Sequence, residues 1–197
     1  MIQMQAYTPD FGGAETRFVF DEPRFQQDFF QLFGLPASYR IDNALLDQHY
    51  HALQAQVHPD RFSHLSEAER RVSMQWATRV NEAYQTLGSP IRRARYLLSL
   101  RGVDIQEEIN TAMPMDFLME QMEWREAIQE AGEARDAGVL DKLELRLHQE
   151  VHVLQERLAG EIDIMGDYAA AAGSVRKLKF LEKLAEEIAS AIDAIDY

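Results

Sequence analysis

The chain has no cysteine among its 197 residues. That excludes a disulfide framework and any thiolate metal site, and it fits a reducing cytoplasm. No apolar run approaches the roughly 20 residues that a membrane-spanning helix needs. The start, MIQMQAYTPDFGGAETR, has neither the basic nor the apolar region of a secretory signal. Residues 1–101 hold no lysine; their 11 Arg are balanced by 11 Asp/Glu. Residues 102–197 carry 9 Lys/Arg against 22 Asp/Glu, so the whole formal charge of −13 sits in this half. Such asymmetry points to two units with different partners and makes nucleic acid or an anionic membrane an unsuitable target. Strand patterning is nearly absent, which leaves an all-α protein as the expectation.

What is present is helical periodicity almost throughout. From Asp42, a plausible N-cap, Leu46, Tyr50, Leu53 and Val57 mark one face of a helix. It ends at His58-Pro59-Asp60, because proline disfavours helix at the residue before it and cannot extend the ladder. Ser66 and Glu69 make a capping box for a second helix with Val72, Trp76, Val80, Ala83, Tyr84 and Leu87 inward, stopped at Gly88-Ser89-Pro90. The two form an antiparallel hairpin. Short helices are expected at 28–34 before it and 92–100 after it, the latter closed by Gly102. Residues 102–114 read as a linker between a first domain, 27–101, and a second, 115–197. The second should be a bundle of three helices, about 116–133, 137–162 and 167–195, with breaks near Gly138 and Gly166. Residues 1–26 form an N-terminal extension; seven of the ten phenylalanines fall within 11–33, too aromatic for a disordered tail, so packing against the first domain is expected.

On a helical wheel of the first bundle helix, Phe117, Trp124, Ala127, Ile128 and Ala131 share a core-facing arc. Met115, Leu118, Met119 and Met122 cluster nearly opposite, beside Glu123 and Glu126. A bundle buries one face of a helix, so the second cluster reads as an interaction surface. In the last helix Leu178, Leu181, Ala185, Ile188 and Ile192 form the inner arc; Phe180 lies about 100° away and reads as rim packing or a binding anchor. His148 and His152 stand at i, i+4, but without the glutamate of a His-Glu-x-x-His site they read as a solvated face. No phosphate loop, nucleophile–base pair or dinucleotide turn is present, so neither an enzyme nor a cofactor or metal protein is expected.

His58-Pro59-Asp60 between two amphipathic helices, the second ending in Asn81-Glu82-Ala83-Tyr84-Gln85-Thr86-Leu87, resembles the J domain, whose exposed His-Pro-Asp loop stimulates ATP hydrolysis by an Hsp70 partner. Phe33-Gly34-Leu35-Pro36, Arg95-Tyr96-Leu97-Leu98-Ser99-Leu100, Phe117-Leu118-Met119-Glu120-Gln121 and Val175-Arg176-Lys177-Leu178-Lys179-Phe180-Leu181 narrow this. Together, over residues 27–197, the chain is similar to the HscB family of iron–sulfur assembly co-chaperones. The resemblance implies an L-shaped protein, a J domain on a three-helix bundle that holds an IscU-type scaffold for an HscA-type chaperone. It also implies a scaffold surface at Leu118, Met119, Met122, Glu123, Glu126 and Phe180, and an Hsp70 contact at His58, Pro59, Asp60 and Arg61. J domains usually line the helix before the loop with Lys and Arg; residues 42–57 have neither. His49, where relatives often have arginine, and His51 beside it are the expected substitutes, with further positive charge from Arg70, Arg71 and Arg79. The cysteine zinc site of some eukaryotic relatives has no counterpart here. A general J-domain chaperone for unfolded clients is the alternative, against which stand the missing Gly/Phe-rich linker and cysteine module. An inert helical adaptor is a third possibility.

His58→Gln changes a residue expected in an exposed turn outside either core. It should leave circular dichroism and scaffold binding unchanged and remove most stimulation of the partner ATPase; near-normal stimulation by the folded variant would remove the J-domain assignment.

Overall fold

The computed structural model describes residues 25–57, 66–103 and 115–196, and every regular element among them is helical. The chain divides into two compact units at Arg93/Ala94.

The first unit is a helical hairpin with a short entry helix. The entry helix α1, Phe29–Leu32, is opened by a capping box in which Asp28 accepts from Gln31 N and the Gln31 side chain accepts from Asp28 N. Gly34, at φ 62°, ends it: Leu35 N–H reaches back to Phe30 O at 2.8 Å and Gly34 N–H to Gln31 O at 3.1 Å. That pair of bonds needs a left-handed residue, which glycine supplies without a Cβ clash. Helix α2, Asn43–Val57, starts at Asp42, whose carboxylate accepts from Ala44 N and Leu45 N. Helix α3, Glu67–Gly88, starts at the Ser66/Glu69 box. Between α1, α2 and α3 lie Phe29, Phe30, Leu32, Phe33, Leu46, Leu53, Val57, Trp76, Val80, Ala83 and Leu87, all buried. Each large member contributes about 1.5–3 kcal/mol by leaving water, and together they hold the hairpin closed.

Polar contacts fix the hairpin's register. Ser73 Oγ–H donates to Val57 O at 2.9 Å, fully buried, and so satisfies a carbonyl in the last turn of α2. On the outer side, Tyr50 and Tyr84 stack with centroids 4.0 Å apart. Tyr84 donates to Asp47 at 2.9 Å, and Tyr50 to Asn81 at 3.0 Å. The Asp47 carboxylate accepting the phenolic proton holds the Tyr84 pKa above its usual value.

Helix α4, Pro90–Leu100, starts earlier than the expected residue 92, because Pro90 itself takes the first helical position, where its missing N–H is harmless. Only Ser89, with extended ψ of 120°, separates it from α3. Arg93 is buried in this turn, donating to Leu87 O at 3.0 Å with its guanidinium 5.4 Å from the Tyr39 ring. Of the expected linker 102–114, residues 104–114 lie outside the described residues.

The second unit contains a three-helix bundle of α5, Met115–Glu133, α6, Ala137–Ala159, and α7, Tyr168–Asp196. Its two joints fall near Gly138 and Gly166, as expected. The α5–α6 turn does not use Gly138, which lies inside the first turn of α6; the left-handed residue is Arg135, at φ 53°. Its side chain reaches across the bundle: Nη2 donates to Ile195 O at 3.3 Å and Ala194 O at 3.5 Å, capping the far end of α7. Between α6 and α7 the chain widens into a π-helical turn, Gly160–Met165, before Gly166 reverses it at φ 64°. The core is Trp124, Ile128, Ala131, Leu140, Leu147, Leu154, Leu158, Val175, Leu178, Leu181, Leu184 and Ile188. Ala185, expected inward, is exposed, and Leu184 takes that place.

Replacing Ser73 with alanine should leave the Val57 carbonyl buried and unpaired, lowering unfolding free energy by about 1–3 kcal/mol. Urea denaturation of the full chain checks this: an unchanged midpoint would mean that the carbonyl finds another donor.

Candidate functional site

Two surfaces were expected to carry function, one on each unit. On the first, His58, Pro59, Asp60 and Arg61 lie outside the described residues. Val57, fully buried and tied to Ser73, ends one side, and the Ser66 box begins the other. Packing at Val57 and capping at Ser66 thus hold the chain on either side.

The two histidines of α2 part company. His51 is exposed, its ring 5.5 Å from that of Tyr50. His49 is buried at 8% exposure, and its Nδ1 lies 2.6 Å from Phe33 O. A carbonyl only accepts, so Nδ1 carries the proton and donates. The expectation that His49 presents surface charge is therefore corrected: position 49 lies on the same stripe as Leu46, Leu53 and Val57, and its imidazole bridges α2 to the end of α1. Arg79 is likewise committed. It donates to Gln27 O at 2.7 Å, with its guanidinium 4.9 Å from the Phe25 ring and 5.4 Å from the Phe29 ring. Phe25 in turn meets Trp76 edge-on at 5.1 Å. Arg70 and Arg71 are exposed, the latter in a 3.8 Å pair with Glu67. The exposed residues of α2 are Asn43, Ala44, Asp47, Gln48, His51 and Ala55, with no basic side chain except the imidazole.

On the second unit the outward cluster of α5 is present. Met115, Leu118, Met119 and Met122 are 70%, 42%, 54% and 71% exposed, and Glu123 and Glu126 are exposed beside them. The opposite face packs inward through Trp124, Ile128 and Ala131, with Phe117 half-buried. Steps of three and four residues place the four apolar side chains side by side on successive turns.

Phe180 does not belong to that exposed surface. It is buried at 6% and meets the Phe117 ring edge-on, centroids 5.4 Å apart and planes at 81°. The Arg125 guanidinium lies 5.6 Å from its ring and pairs with Glu187 at 3.6 Å. Of the two readings of Phe180, its burial supports rim packing, and its implied place on the exposed scaffold surface is corrected. α7 touches both α5 and α6, so its buried arc is wider than a single-stripe wheel suggests, and position 180 falls under α5. Lys177 closes the neighbouring seam, 2.8 Å from Glu120 and 5.9 Å from the Phe117 ring. Sequence reasoning did not find the Phe117–Phe180 pair or the Ser73–Val57 bond, because each joins residues far apart in the chain.

Chemically, the α5 face offers adaptable apolar contact ringed by carboxylates. Among the described residues there is no group of three His, Cys, Asp or Glu that could hold a metal ion, and no helix long and apolar enough to cross a membrane.

Comparison with known proteins gives one answer. A family model described as the HSCB C-terminal oligomerisation domain matches residues 113–189. The "Co-chaperone protein HscB homolog" of Azoarcus sp. (strain BH72) is 53% identical over 171 residues, 87% of this chain and 97% of that protein. The solved chaperone HscB from Vibrio cholerae has a TM-score of 0.77 at 38% identity, over 86% of this chain and 99% of that one. The crystal structure of human co-chaperone protein HscB has a TM-score of 0.78 at 31% identity, over 83% of this chain and 81% of that one.

Phe180→Ala should lower unfolding free energy by about 3–5 kcal/mol, as for a buried aromatic. Leu118→Ala and Met122→Ala should stay within about 0.5 kcal/mol of the parent. Thermal melts of the three variants check this, and a Met122→Ala melt as low as that of Phe180→Ala would show the α5 face to be core.

Proposed function

Because the chain belongs to the HscB family of co-chaperones, we propose that it captures an iron–sulfur cluster scaffold protein of IscU type and presents it to an Hsp70-type ATPase of HscA type. The observation that carries this reading is the acid-rimmed Met/Leu face of α5, which lies at the positions expected for the scaffold surface and is left over after the bundle has closed.

Leu118, Met119 and Met122 make the apolar contact, and Glu123 and Glu126 meet cations of the scaffold at its edge. Phe180 supports the surface from beneath, fixing the height and rotation of α5 through Phe117. On the first unit, His58, Pro59, Asp60 and Arg61 engage the ATPase, together with the exposed His51. His49 contributes from inside, as a bridge that positions α2. The chain works without cofactor or metal and without catalysis of its own, in a reducing cytoplasm. Its contribution is to bind two partners at once, which raises the effective concentration of one at the other.

The test is ATP turnover by an HscA-type chaperone with this chain alone, with the scaffold alone and with both. Stimulation by the two together should exceed the sum of the separate effects, and Leu118→Ala/Met122→Ala should reduce the excess while keeping the stimulation due to the chain alone. Stimulation indifferent to the scaffold would support a general chaperone for unfolded clients. No stimulation at all would reduce the chain to a helical adaptor.

A further inference from the structure

Four of the eight methionines fall within residues 113–122. Three of them, Met115, Met119 and Met122, share the exposed face of α5 at 70%, 54% and 71% exposure. With no cysteine in the chain, thioethers are its oxidisable sulfur. Met74, on α3, and Met165, in the π-helical turn, are similarly exposed at 60% and 66% but stand outside this cluster.

Resting on the reading of this face as the scaffold surface, we propose that Met115, Met119 and Met122 are sites of reversible sulfoxidation, through which hydrogen peroxide weakens capture of the scaffold. A sulfur lone pair attacks one peroxide oxygen and the O–O bond breaks as the S–O bond forms. The leaving hydroxide takes the remaining proton and departs as water. The thioether is oxidised by two electrons and the peroxide is reduced by two. Hydrogen peroxide is uncharged, so the carboxylates of Glu123 and Glu126 do not repel it. The product carries a polar oxygen on a side chain that had been apolar and adaptable. In the free protein water solvates that oxygen, so the fold is unaffected. Under a bound partner it must be stripped of water without a matched donor, and the burden falls on affinity alone. Reduction of the sulfoxide by a dithiol reductase returns the thioether, with water and a disulfide as products.

The experiment oxidises the full chain alone with hydrogen peroxide, removes the oxidant with catalase and maps added oxygen at each methionine by mass spectrometry. Binding to an untreated, reduced IscU-type scaffold is then titrated. Once the three patch methionines are converted, affinity should fall by about tenfold or more with an unchanged melting temperature. The two methionine sulfoxide reductases together, one for each sulfoxide epimer, should restore it. Met115→Leu/Met119→Leu/Met122→Leu should bind before treatment and keep its affinity afterwards, whereas Met74→Leu/Met165→Leu should lose affinity as the parent does. Undiminished binding by the oxidised parent, or equal loss in the triple variant, overturns the proposal alone. An untreated parent that does not bind the scaffold overturns the surface reading and the proposal with it.

Discussion

Helix α5 carries apolar side chains on two opposite faces, and a bundle of three helices buries only one of them. The buried face is the one with Trp124, Ile128 and Ala131, on a helix that packs against both α6 and α7. Leaving Leu118, Met119 and Met122 in water forgoes up to about 1.5–3 kcal/mol for each side chain that could have been buried. The fold meets that cost with a long seam elsewhere, along α6 and α7, and the carboxylates of Glu123 and Glu126 lie beside the exposed face. A surface held out of the core in this way is available to a partner without any rearrangement.

That surface is only as well placed as the contacts beneath it. Phe180 and Phe117 set how α5 sits on α7, and the Arg125–Glu187 and Lys177–Glu120 pairs flank them. The pairs are partly exposed, and such bridges contribute at most about 1 kcal/mol each, so the aromatic contact dominates. On the first unit the same division holds. Burial of Phe30, Leu46, Leu53 and Trp76 closes the hairpin, while Ser73, His49 and Arg79 each satisfy one carbonyl and thereby fix register. Polar groups buried with a partner add little net energy but penalise any other arrangement heavily.

The charge distribution has a consequence for partner choice. The helix before the His-Pro-Asp loop has no Lys or Arg, His49 is inside, and Arg79 is held by Gln27 and two phenyl rings. α2 therefore offers no permanent cation to solvent, its exposed side chains including the carboxylate of Asp47 and the imidazole of His51.

Sequence by itself determined the features whose physics is local. The Ser66 capping box, the Asp42 cap, the closures at Gly102 and Gly166 and the two-faced pattern of α5 all depend on residues within one or two turns of each other, and helical spacing makes them legible. Family resemblance added the roles, through motifs quoted from this chain alone. Only the tertiary structure decided the fate of His49, Phe180, Arg79 and Arg135. A wheel gives the direction in which a side chain leaves its own helix but not what stands there. For these four, what stands there is the Phe33 carbonyl, the Phe117 ring, the chain from Phe25 to Phe29 and the last carbonyls of α7. Each partner comes from a different element, so which polar or aromatic groups are consumed inside the fold, and which remain for a partner, follows from packing between helices rather than from any one helix.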